Sequence, residues 1–349
     1  MSEQKEFTTT LANASNKYMA LINKQMDTAN VQLGDYAKSC VMNAISAINV
    51  ALETAGVSWN AQDLNRDNIG GILLNIASLQ LNAAAQPAEV YFQLRTVKGK
   101  DGSYMKKIEY GVQGAGFESI AARFGRDVKR VMPCWEVREN DDFKYPRFTG
   151  LEYAPPEWTP KGSGAVVRVV YPIIYNDNTV NYIISERADV KKNLLAHINN
   201  NLMNETFGIC KNRYNATEAQ KEEIEKKKSE LKSRARKHET LEDILDDAEL
   251  DKYISPAWKD GHSRESMIVR KMKNNAMKGI PKDFGSAFIQ SQYMESTSED
   301  YVQAKEDIIE NTASIAIDVT PEVEILPETG ENTTDEQQVT LNDIPGVFE

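Results

Sequence analysis

The side chains best equipped for chemistry are cations interleaved with aromatic rings. Between Arg95 and Arg130 lie nine bases: Arg95, Lys98, Lys100, Lys106, Lys107, Arg123, Arg126, Lys129 and Arg130. Four acids oppose them, Asp101, Glu109, Glu118 and Asp127, and Tyr104, Tyr110, Phe117 and Phe124 are interspersed. Cations can track a phosphate backbone while flat rings accept bases, the combination used in sequence-independent single-strand binding. The alternative is that the rings are core and the bases ordinary surface. A second run tips that balance. From Arg264 to Asp283 the bases Arg264, Arg270, Lys271, Lys273, Lys278 and Lys282 face only Glu265 and Asp283. On a helix Arg270, Lys273 and Met277 share a face and Lys271 and Lys278 lie one heptad apart, with Met267 and Ile268 placed to pack opposite. Such a helix can line a phosphate-binding groove.

Net charge argues the other way at first. The 349 residues carry 41 Lys+Arg and 52 Asp+Glu, a formal −11, and an acidic surface repels phosphate. The acidity is localised, however. From Glu295 to Glu349 there are 15 acids and one base, Lys305, so the preceding residues are mildly basic.

Other chemistries lack their residue patterns. Three separated cysteines, Cys40, Cys134 and Cys210, read as reduced, buried thiols. Three histidines without metal-ligand spacing argue against zinc. No nucleophile elbow or nucleotide-binding phosphate loop occurs. Gly111, Gly114 and Gly116 could bring backbone amides to a phosphate, but a tight turn explains them as well. Asp141-Asp142 and Asp246-Asp247 are the acidic pairs a metal-dependent nuclease would need. The N-terminal residues are polar, without a secretory signal pattern, and the long uncharged stretch 68–88 is too polar for a membrane span.

The elements that must position these residues are legible in the periodicity. Apolar residues at spacings of three and four predict a helix over 35–54, and a second over 67–85 ends before Pro87. Residues 90–94 and 105–112 predict a β-hairpin. A short helix follows at 117–124, capped by Gly125, then a strand at 128–137 and a Pro- and aromatic-rich loop at 140–163. A second hairpin, 165–175 with 179–185, turns at Asn176-Asp177-Asn178. Residues 187–207 read as helix, 216–250 as a solvated charged helix or mobile insertion, and 258–279 as a helix with a basic face. Beyond Ser296 the composition predicts disorder. The expected fold class is α+β. It comprises a helical N-terminal region (1–60), a core of antiparallel hairpins packed with helices (61–290, including the charged segment 214–252), and an acidic tail (291–349).

Three blocks in this order resemble the RecT/Redβ superfamily of phage single-strand annealing proteins. The first is Ile76-Ala77-Ser78-Leu79-Gln80-Leu81-Asn82. The second runs from Lys107 through Gly111, Gly114 and Gly116 to Ala122-Arg123-Phe124-Gly125, continuing to the strand end at Asp141-Asp142-Phe143. The third is Trp258 followed by Met267, Arg270, Lys278 and Pro281 in register. Gln113 stands where the family turn has Lys, and Lys271 where it usually has Thr. The resemblance spans roughly residues 70–285. It implies a non-enzymatic, cofactor-free and ATP-independent protein in the cytoplasm of a bacterial host. Such a protein would bind single-stranded DNA, assemble as a ring or helical filament, and anneal complementary strands into duplex.

The residues expected to meet DNA are Lys106, Lys107, Arg123, Arg126, Arg270, Lys271, Lys273 and Lys278 for phosphates, with Tyr110 and Phe117 for stacking. The tail tip, Leu341 to Glu349, looks like the acidic tip of bacterial single-strand binding proteins and suggests competition for host replication factors. A metal-dependent nuclease and a structural phage protein are the alternatives.

Overall fold

The computed structural model describes residues 2–98, 103–211 and 216–297, with side chains from residue 11 onward. Three helices open the chain: α1 (Ser2–Thr28), α2 (Asp35–Thr54) and α3 (Arg66–Leu79). α2 buries Ala37, Val41, Ala44, Ile45, Ile48 and Leu52, the face its spacing predicts. At the start of α3 the Asn65 side chain accepts a hydrogen bond from the Asn68 amide at 2.9 Å. The helix stops at Leu79 rather than near 85. Gln80 takes a left-handed conformation, φ 53°, and turns the fully buried Leu81 back into the core.

Strands β1 (Val90–Lys98) and β2 (Tyr104–Val112) pair antiparallel, from Val90 opposite Val112 to Lys98 opposite Tyr104. α4 (Gly114–Phe124) starts earlier than its periodicity suggests, because Gly114 and Gly116 open the helix. Gly125 ends it in an extended conformation, φ −62°. The expected strand 128–137 is two strands, β3 (Val128–Val131) and β4 (Trp135–Arg138), divided at Pro133, which has no N–H to donate.

The segment expected to be a loop is instead a β-ribbon. β5 (Asp142–Lys144) pairs with β8 (Glu157–Thr159), and β6 (Arg147–Thr149) with β7 (Glu152–Ala154). The chain reverses at Gly150, φ 60°. Pro146 on one side and Pro155-Pro156 on the other interrupt the ladder, so the sequence does not alternate like a long strand. β9 (Val166–Tyr175) and β10 (Val180–Glu186) form the second expected hairpin. β9 is central, with β10 along one edge and β3 and β4 in succession along the other, all antiparallel.

The remainder is helical: a 3-10 turn at Arg187–Val190, then α5 (Lys191–Met203), α6 (Glu218–Lys237) and α7 (Leu241–Leu245). These are followed by α8 (Pro256–Lys259), α9 (Arg264–Lys278) and α10 (Ala287–Thr297). The fold is thus α+β, helices packed with small antiparallel sheets. Among the described residues no helix is long and apolar enough to cross a membrane.

Two hydrophobic clusters organise these elements. The first joins α1, α2 and α3 to Val90, Ile108 and Ile120, with Phe288 and Tyr293 of α10 packed against it. Residues on both sides of position 60, Trp59 and Leu64 among them, contribute to this cluster. The second joins Val169, Tyr171 and Ile173 of β9 to α5, Trp258 and Ile268, Met272, Ala276 and Met277 of α9. α6 is solvated and laced with ion pairs along most of its length, as expected. Ala235, Leu241, Ile244, Leu245 and Leu250 join the second cluster and anchor the end of the charged segment in the core. Even Lys228 is 8% exposed, its ammonium donating to the Met203 carbonyl at 2.9 Å. The described residues belong to one compact unit. The acidic tail beyond Thr297, with its Leu341–Glu349 tip, lies outside the described residues, as does Lys100.

Candidate nucleic-acid interface

α4 and α9, which carry cations from the two basic runs, pack side by side. The chain segments leaving their C-terminal ends are joined by backbone hydrogen bonds. The Arg126 amide donates to the Pro281 carbonyl and the Asp283 amide to the Phe124 carbonyl, both at 2.8 Å. Segments more than a hundred residues apart thereby bring Arg126, Lys278 and Lys282 to one junction. Lys282 donates to the carbonyls of Met277 at 2.7 Å and Ile280 at 2.8 Å. Burial and the neighbouring Lys278 charge lower its pKa to about 8.

The other expected phosphate ligands divide by environment. Lys107 is exposed on β2, directly across from Arg95. Arg126 and Arg270 are exposed as well. Lys271 is half-buried. Lys278 donates to the Thr297 carbonyl at 2.8 Å and lies 5.4 Å above the Phe117 ring. Lys106 is engaged structurally. Its ammonium is 2.7 Å from the Asp63 carboxylate, and its amide donates to the Asp63 carbonyl at 2.7 Å. The pair fastens β2 to the segment before α3, and the Lys106 hydrogen bond holds the Asp63 carboxyl below its ordinary range. Lys273 pairs with Glu136 at 2.7 Å. Burial alone would lower the Lys273 pKa, but the Glu136 bond and nearby Cys134 and acids outweigh it and raise the value.

Arg123 is the clearest structural cation. One guanidinium nitrogen is 3.5 Å from Glu89 and 3.2 Å from the Tyr36 hydroxyl, and the group lies 5.3 Å from the Tyr36 ring centre. Glu89 is 5% exposed. It also accepts from the Ser119 hydroxyl and from the Asn82 amide, the latter at 2.7 Å. This node ties α2, the turn after α3 and α4 together. Nothing in the sequence around Glu89 marks it.

Both expected stacking residues require correction. Phe117 is 6% exposed and belongs to the second cluster. Tyr110 packs against the first cluster, stacked on Phe92 at 6.4 Å and 22°, and burial pushes its phenol pKa up. Phe117 offers no face to a base, and Tyr110 is half-buried. Each lies on the inward side of its element, the placement periodicity favours for an aromatic.

The glycines have a packing role. A Cβ on Gly116 would lie 2.3 Å from the Glu89 carbonyl, and one on Gly111 would lie 2.5 Å from the Tyr91 ring. They allow close approach of β1 to α4 and β2.

The acidic pairs are likewise committed. Asp141 accepts from the amides of Arg138 at 2.8 Å and Lys161 at 2.6 Å, and from the Trp158 indole at 2.9 Å. These donors, the backbone amides foremost, hold its carboxyl far below the ordinary range. Asp142 pairs with Lys161 at 2.7 Å, and Asp246 with Arg264 at 2.8 Å. The Asp247 side chain is 3% exposed, gripped by Arg234 at 2.6 Å and His238 at 2.7 Å. Among the described residues no three His, Cys, Asp or Glu side chains converge as a metal site. The cysteines are free thiols, and burial pushes Cys134 up to about 12.

Compared with known proteins, the chain matches no protein-family model and no curated sequence.

Proposed function

We propose that this protein binds single-stranded DNA by its phosphates and, as an oligomer, anneals complementary strands without ATP. The observation that carries the reading is the α4–α9 junction, where two basic runs remote in sequence meet at Arg126, Lys278 and Lys282. Exposed Lys107 on the β1–β2 hairpin and Arg270 on α9 extend the positive surface, while Arg95, opposite Lys107, is paired with Glu109. Backbone contacts hold a strand without reading its sequence, so an incoming strand is tested by base pairing alone. The resemblance of residues 70–285 to the RecT/Redβ superfamily supports the same reading.

The test is an annealing assay. Two labelled complementary oligonucleotides are mixed with protein, without ATP, and binding is followed in parallel across a salt series. The expected result is faster duplex formation and an affinity that falls with salt by about 0.7 logarithmic units per unit of log salt for each phosphate contacted. Arg126→Glu with Arg270→Glu is expected to weaken binding and flatten that slope. No binding at low salt overturns the proposal. Shortened strands in the presence of Mg²⁺ would favour the nuclease alternative.

A further inference from the structure

The sheet centred on β9 has helices on one face and a row of rings on the other. Trp158 stacks on Trp135 with centroids 5.7 Å apart and planes at 26°. Trp135 meets Tyr182 at 5.7 Å, Tyr182 meets Tyr153 at 6.3 Å, and Tyr153 meets Phe148 at 4.9 Å. These five rings come from β4, β10 and the ribbon β5–β8, so only the fold aligns them. The row becomes more exposed toward the ribbon tip. Phe148 is 73% exposed and Leu151 fully so, an apolar projection that burial would otherwise favour removing from water.

The surroundings narrow what the row can hold. A cavity of about 620 Å³ borders Phe148 and Tyr153 and is edged by Asn176, Thr179 and Asn181, groups able to hydrogen-bond a planar heterocycle. The Tyr153 hydroxyl is buried without a hydrogen-bond partner among the described residues. Asp127 and Asp177 also line this cavity, so its wall suits uncharged base edges and repels phosphate. Cations stand outside it. Arg130 is exposed on β3 and paired in register with Ile174, hence on the ring-bearing face, and Arg147 is exposed beside Phe148. Rings for bases, with cations at the margin for phosphates, match an unpaired strand laid across the sheet.

We propose that the row Trp158–Trp135–Tyr182–Tyr153–Phe148 is a base-stacking platform for single-stranded nucleic acid, with Arg130 and Arg147 at its margin. It rests on the strand-binding reading above and locates the bases where the phosphate contacts do not reach. Stacking on an aromatic ring is sequence-tolerant and selects unpaired over paired bases.

The experiment compares an oligothymidylate with an abasic strand of equal length, the same phosphates without bases, by fluorescence anisotropy on the full chain. Wild-type protein is expected to bind the thymidylate more tightly. Phe148→Ala with Tyr153→Ala is expected to weaken thymidylate binding at least about 10-fold. Abasic binding and the salt slope should not change. Phe148→Trp, which restores a ring, is expected to keep the wild-type preference and guards against loss through misfolding. Equal wild-type affinity for both strands overturns the platform while leaving phosphate binding intact. So does an equal loss of both strands in the double variant. Binding of neither strand by wild-type protein overturns the strand-binding reading itself.

Discussion

Removing the Arg123 guanidinium separates a DNA ligand from a structural cation. Arg123 keeps 24% of its side-chain exposure and Glu89 only 7%, at 3.5 Å. Removing one partner of a fully buried pair costs about 3–5 kcal/mol because a charge is left uncompensated. Here Glu89 would retain the Ser119 hydroxyl and the Asn82 amide, and water reaches the arginine side, which reduces the expected cost to about 2 kcal/mol. Loss of the guanidinium from the Tyr36 ring, 5.3 Å away, adds about 0.5 kcal/mol at this half-exposed site. Arg123→Ala is therefore expected to lower the unfolding free energy by about 2–3 kcal/mol. Exposed Arg126→Ala should stay within about 0.5 kcal/mol of wild type. Urea denaturation followed by circular dichroism measures both. A cycle pairing Arg123→Ala with Glu89→Gln should return a coupling of about 1–2 kcal/mol. An Arg123→Ala protein of wild-type stability that no longer binds single strands would refute this reasoning and return Arg123 to the DNA surface.

Further expectations follow from the same packing. Phe117→Ala should destabilise by about 3–4 kcal/mol through the cavity left in the second cluster, while the folded protein keeps its strand affinity in a binding titration. Asp247, held below its ordinary pKa by Arg234 first and by His238, contributes stability above the unfolded carboxylate range that is lost as pH falls below it. Asp247→Asn should therefore be less stable at neutral pH and show a flatter acid limb when denaturation is repeated from pH 6 down to pH 3. Lys282 should titrate near pH 8 in an NMR experiment with labelled lysine. Lys278→Ala should raise that midpoint by removing the neighbouring positive charge; an unchanged midpoint would assign the whole effect to burial.

Much of this protein is determined locally. The apolar spacing of α2, the strands of both long hairpins and the concentration of acid beyond Glu295 are properties of short stretches of chain, readable because helix and strand periodicities express themselves within a few residues. The clustering of cations in two runs is legible for the same reason. Phe143, Tyr145, Phe148, Tyr153 and Trp158 also form an aromatic concentration visible in the sequence, but the prolines among them mask its strand alternation. Which cations remain available is another matter. Lys106, Arg123 and Lys273 look no different in sequence from Lys107, Arg126 and Arg270, yet Asp63, Glu89 and Glu136 occupy the first three. Those partners arrive from distant segments. A ring likewise faces core or solvent according to the layer laid against its strand. Tyr110 and Phe117 are covered by helices, whereas Phe148 projects from a ribbon with one face open. Burial and pairing depend on long-range contacts, so tertiary structure alone decided which charges and rings are free to meet a ligand.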